Sequence, residues 1–144
     1  MSGMSMKALA KKVADIDFTM LSTRSDDGEI GARPMSNNGD VEYDGDSWFF
    51  TWETSRMVAD IQRDPRVGLS LQGKAGILGK PPLFISIEAI AELVRDKALF
   101  EKHWNADLER WFEQGIETPG IVLIKAHAQR IKYWDGEDEG EVKG

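Results

Sequence analysis

Between Ser47 and Ile61 the chain switches from the pattern of a strand to that of a helix almost without a linker. Ser47-Trp48-Phe49-Phe50-Thr51-Trp52 is a run of aromatic and β-branched residues, a composition that favours a strand. Thr54 and Ser55 are then helix N-cap residues, and Met57, Val58 and Ile61 follow at helical spacing. A strand must therefore feed a tight turn that opens a helix, with Arg56 in its first turn. The start of a helix offers backbone N–H groups without intrahelical partners and a partial positive charge. A Ser hydroxyl and an Arg fork beside it make a seat for a phosphate. The same residues also suit an ordinary capped helix with a surface arginine, and this stretch alone does not choose between the two.

The rest of the chain reads as strands joined by turns. Residues 6–16 carry Met6, Leu9, Ala10, Val13 and Ile16 at helical spacing and predict a short amphipathic helix. Phe18 to Arg24 alternates as a strand, Asp26-Asp27-Gly28 signals a hairpin, and Ile30 to Met35 is the return strand. Pro34 cannot donate to a ladder, so that strand is an edge, a bulge or a strand end. Asn37-Asn38-Gly39 and Asp44-Gly45-Asp46 are turns around a short strand at Val41 and Tyr43. The helix over 55–63 is closed by Asp64-Pro65, since the residue before a proline avoids the helical region.

Val67 to Gln72 alternates, Gly73 to Pro82 is a loop, and Leu83 to Leu93 is a long strand. Asp96 to Gly115 is helical in pattern, broken near Asn105, and Ile121 to Trp134 is a second long strand. Asp135 to Gly144 is acidic and glycine-rich, and reads as a solvated tail. About six strands with tight connections and three short helices predict a mainly β (α+β) fold. Its antiparallel sheet is of the kind that commonly closes into a barrel. The division expected is one domain over residues 1–135 and a tail over 136–144.

Composition removes several functions. A formal net charge of -7 argues against nucleic-acid backbones and against anionic membrane surfaces. With no cysteine there is no disulfide, thiolate nucleophile or cysteine metal site. Met1 to Met6 lacks the apolar segment of a signal peptide and no apolar run is long enough to span a bilayer, so a cytoplasmic location is expected. The two histidines, His103 and His127, cannot make a three-histidine metal site and read as structural or solvated. Trp48 and Trp134 read as packing residues, and so, on aromatic content alone, do Trp104 and Trp111.

Taken in order, Gly31-Ala32-Arg33-Pro34-Met35, Asp46-Ser47-Trp48-Phe49-Phe50-Thr51, Ser55-Arg56 and Asp64-Pro65-Arg66-Val67 resemble the FMN-binding split-barrel proteins related to pyridoxamine 5'-phosphate oxidase. Trp104 to Phe112 and Tyr133-Trp134-Asp135 resemble their general stress protein branch. The resemblance runs from about Leu9 to Asp135. It implies a six-stranded antiparallel split β-barrel with short flanking helices, and a homodimer that binds FMN, or FAD, at the subunit interface. By resemblance Arg33, Ser55 and Arg56 hold the flavin phosphate. Phe50 and Thr51 lie along the ribityl chain and ring, Pro34 and Met35 border the isoalloxazine, and Trp111 lies near the flavin or the dimer interface. Asn38 and Met57 fall where the oxidases carry lysines, which lowers the expected flavin affinity. Two functions follow: an FMN-dependent oxidoreductase of unknown substrate, or a flavin-binding or protein-interaction module without turnover.

Overall fold

The structure, a computed structural model, describes residues 3–37 and 42–142. Helix α1 (Met6–Val13) starts at Ser5, whose Oγ accepts from the Ala8 N–H at 3.1 Å, and it buries Leu9 and Ala10. Strands β1 (Phe18–Arg24) and β2 (Ile30–Ser36) form the predicted hairpin in full register from Phe18↔Ser36 to Arg24↔Ile30. Gly28 takes φ 85° at its turn, a backbone state that costs glycine little. Then come β3 (Asp46–Trp52), α2 (Arg56–Arg63), β4 (Arg66–Gln72) and β5 (Phe84–Val94). Helix α3 (Lys97–His103) is followed by short 3-10 turns at Ala106–Arg110 and Gly115–Glu117, which places the break near Asn105. The chain ends with β6 (Ile121–Asp135) and β7 (Asp138–Glu141).

Every strand pair is antiparallel, and the order is β2-β1-β4-β5-β6-β3 with β7 added on β6. The two end strands, β2 and β3, do not pair with each other, so the barrel stays split along one seam. Pro34 sits in edge strand β2, where a missing N–H is tolerated. Strict alternation along β4 and β5 points Val67, Leu69, Leu71, Ile85 and Ile87 into one core with Leu9, Leu21, Ile124 and Tyr133. A smaller cluster of Phe50, Phe100, Leu108, Phe112, Ile121 and Leu123 fastens α3 and the turn after it over the β3–β6 edge. Each Phe buried there contributes about 1.5–3 kcal/mol.

Two expectations change. The acidic segment read as a solvated tail contains β7, which pairs Lys132↔Glu141 to Asp135↔Asp138. Backbone pairing and the ion pair of Arg130 with Glu141 hold it despite poor strand propensity. The strand expected at Val41 and Tyr43 is not formed at Tyr43, and Val41, like Asn38, lies outside the described residues.

Candidate functional site

The open seam is the natural place for a ligand. Edge strands carry backbone N–H and C=O groups without a strand partner on their outer side. Here two such edges flank a cleft of about 320 Å³. From β2 come Pro34, Met35 and Ser36, and from β3 come Phe49, Phe50, Thr51 and Trp52. Leu108, Trp111 and Phe112, from the segment after α3, cover one end, and Phe18 borders the other side. The walls are apolar and aromatic, with Trp52 42% and Trp111 57% exposed to the cleft and solvent. Phe112 braces Trp52 and Phe50, its ring lying 4.9 Å from the first and 6.5 Å from the second. Among the described residues, none that lines the cleft carries a titratable side chain. Such a slot suits a flat aromatic ligand whose polar edge meets backbone groups.

Helix α2 leaves β3 directly and brings cations to the same region. Ser55 is its N-cap, and its Oγ accepts from the Val58 N–H at 3.3 Å. Arg56 is exposed and makes no hydrogen bond or ion pair among the described residues. Arg33, on β2, is half-buried; its Nη1 donates to the Leu21 carbonyl at 3.2 Å and to Thr23 Oγ1 at 2.7 Å. Burial pushes the Arg33 guanidinium below its ordinary pKa; Asp60 opposes the shift and the nearby charge of Arg56 adds to it. The two guanidinium groups therefore lie within electrostatic reach of each other, and the Arg56 charge also helps hold the Asp27 carboxyl below its ordinary pKa, after the Ser25 hydroxyl and backbone hydrogen bonds.

The structure thus brings Pro34, Met35, Phe50, Thr51 and Trp111 into one cleft; Ser55 and Arg56 stand at the start of α2, and Arg33 on β2 lies within electrostatic reach of Arg56. Met57 is a correction as to its side chain: it is 4% exposed and packs in the main core, so only its backbone N–H, in the first turn of α2, is left to meet a ligand at that helix end. The inward face of a helix follows its apolar spacing, and Met57 shares it with Ile61. Trp104 packs edge-on against Phe50 at 5.1 Å. Trp48 stacks on His103 at 3.8 Å, away from the cleft.

Residues missed at the sequence level are Thr23, Asp60 and Arg63. Asp60 is 4% exposed, an acid on the buried face of α2 between Met57 and Ile61. That break in the apolar pattern was its one visible signal. Among the described residues no cluster of His, Asp and Glu could hold a metal ion, and no helix is long and apolar enough to cross a membrane.

A split antiparallel barrel whose open seam is lined by aromatic side chains defines the class: a split-barrel protein. The chain belongs to the pyridoxamine 5'-phosphate oxidase-like family, whose model matches residues 4–143. Among solved structures it is similar to general stress protein 26 from Bacillus anthracis, at 28% identity over 88% of this chain and 91% of that one, with a TM-score of 0.72. It is also similar to the general stress FMN/FAD binding protein from Xanthomonas citri, at 27% identity over 92% and 87% of the two chains, with a TM-score of 0.71. A protein related to general stress protein 26 from Clostridium acetobutylicum shares the fold at 18% identity over 96% and 93%, with a TM-score of 0.77. No curated protein matches the chain.

Proposed function

We propose that this chain is a general-stress-type flavin-binding protein that takes FMN in the seam between β2 and β3. The observation that carries the reading is the aromatic cleft between the two unpaired sheet edges, with Arg56 opening the helix that follows cleft strand β3 and acting electrostatically on Arg33 of β2. Arg33, Arg56 and the first turn of α2 would hold the phosphate. Pro34, Met35, Phe50, Thr51 and Trp111 would hold the ring and its chain. When bound, FMN supplies hydride or electron chemistry at its ring. The protein's share is to seat the ring, shield it with aromatic side chains and offer backbone groups along two strand edges.

A homodimer completes this proposal. Phe18, Met20, Phe84 and Trp134 are exposed along the outer face of β1, β5 and β6, and Phe18 joins that face to the cleft. A second copy covering this apolar face would also wall the seam. The location that fits a cysteine-free, acidic protein of this kind is the cytoplasm.

The cleft offers no side chain that takes up or releases a proton near neutral pH. This favours a flavin carrier or a module that works through contacts, unless the flavin itself does all the redox work. The two separate cleanly in experiment. Protein purified with excess FMN should show flavin absorbance that stays with the dimer peak in gel filtration. Steady NADH or NADPH oxidation would establish an oxidoreductase; tight binding without oxidation would favour the carrier.

A further inference from the structure

Behind the proposed phosphate seat, side chains from three elements form one bonded chain. The Thr23 hydroxyl on β1 donates its single proton to Asp60 Oδ2 on α2, at 2.8 Å. What it presents to β2 is therefore a lone pair, and Arg33 Nη1 donates to it at 2.7 Å. The same nitrogen bonds the Leu21 carbonyl at 3.2 Å. Thr23 is 2% and Asp60 4% exposed, so neither is free to turn to water. The carboxylate is balanced on its other oxygen by Arg63 Nη2 at 3.2 Å, and Arg63 is itself held by the Arg24 carbonyl at 2.9 Å.

This arrangement occupies one corner of the Arg33 guanidinium. Nη2 and Nε make no hydrogen bond among the described residues. Nη2 reaches back over Gly31, where an added Cβ would stand 3.6 Å away. The Nε–Nη2 edge is the one that meets two oxygens of a phosphate side by side. We propose that Thr23 and Asp60 are positioning residues: they hold Nη1 inside the barrel so that the Nε–Nη2 edge of Arg33 is presented to the phosphate of the flavin. The proposal rests on the flavin reading above and adds residues to it. A buried acid so near an anion site would repel the ligand were it not already balanced by Arg63 and bonded through Thr23.

The test compares FMN with riboflavin, which has the same ring and no phosphate. Thr23→Val keeps the shape and removes the relay; Thr23→Ser keeps the hydroxyl. FMN affinity should fall roughly tenfold in Thr23→Val, the scale on which orienting residues act. Riboflavin affinity should be unchanged, and Thr23→Ser should bind as the parent does. In an Arg33→Ala background Thr23→Val should cost nothing more, because the group it positions is gone. An equal loss for both flavins, an undiminished loss in the Arg33→Ala background, or no loss in folded Thr23→Val would each overturn the proposal. Asp60→Asn, nearly the same shape, repeats the comparison if Thr23→Val does not fold, and the same selective loss is expected. If the parent protein binds neither flavin, the flavin reading falls and takes this inference with it. If the parent binds FMN and the variants match it, only the positioning role falls.

Discussion

The positive charge of Arg56 acts on Arg33: it adds to the lowering of the Arg33 pKa that burial begins, although the two residues belong to different elements of the fold. Two like charges brought together, one of them without a hydrogen-bonded partner among the described residues, repel, and the carboxylates Asp60 and Asp27 offset part of this. A phosphate in front would balance the rest.

Removing one of the pair should therefore weaken a phosphate ligand and leave the fold alone. Arg56 is exposed and makes no hydrogen bond or ion pair among the described residues. Arg56→Ala should lower FMN affinity by about 1.5–3 kcal/mol, the worth of a charge-assisted hydrogen bond. The melting temperature without flavin should not move. Fluorescence titration and thermal melts together check this; a flavin-free protein that melts early would make Arg56 a structural residue.

Neighbouring aromatics on the cleft should behave oppositely. Phe112 is 4% exposed and contacts Phe50, Trp52 and Trp104, so Phe112→Ala should cost about 3–5 kcal/mol of stability. Trp111, 57% exposed, should be replaceable by Ala within about 0.5 kcal/mol, yet the change should weaken flavin binding and relieve quenching of its fluorescence. Denaturant melts and flavin emission spectra read the two effects separately.

Acid should loosen the α3 end of the molecule. Burial holds the His103 imidazole below its ordinary pKa, with the Lys102 charge adding to the shift, and the ring stacks on Trp48. Its Nε2 is buried without a partner among the described residues. The unfolded chain then binds the proton more readily than the folded one. The stability that neutral His103 contributes is complete above about pH 6.5, the unfolded value, and is lost as pH falls below it. Replacing His103 with Phe should flatten the dependence of melting temperature on pH between about 7 and 5; an unchanged slope would place its origin elsewhere.

The C-terminal hairpin gives a prediction about stability alone. Val142 packs against the main core and its N–H donates to the Ile131 carbonyl at 2.9 Å. Deleting residues 136–144 should lower the melting temperature measurably. Glu141→Gln, which breaks only the exposed pair with Arg130, should change stability by at most about 1 kcal/mol. Equal and negligible effects of both changes would mean that β7 adds nothing to the fold.

Much of this was legible in the residues because local and tertiary preferences agree. The aromatic run before Ser55 could only be a strand, and the cap and Met57, Val58 and Ile61 could only be a helix, so the junction between them was clear. Pro34 restricted its strand to an edge, a bulge or a strand end, and the fold makes it an edge beside the seam. What stayed hidden depended on contacts between distant residues. Charged Asp138 to Glu141 has no strand pattern of its own and becomes a strand by pairing with β6. Thr23 and Asp60 meet only once β1 and α2 are packed, and nothing near either residue announces the other. Met57 was read from its place in a motif, whereas its side chain follows the periodicity of the helix and turns inward.

The most direct test is an equilibrium titration of the purified protein with FMN, followed in the visible absorbance band and by thermal melting. The account predicts saturable binding with a shifted flavin band, and about 2.7 kcal/mol of added stability at a ligand concentration one hundred times the dissociation constant. A flavin spectrum identical to that in buffer, with no rise in melting temperature, would contradict it.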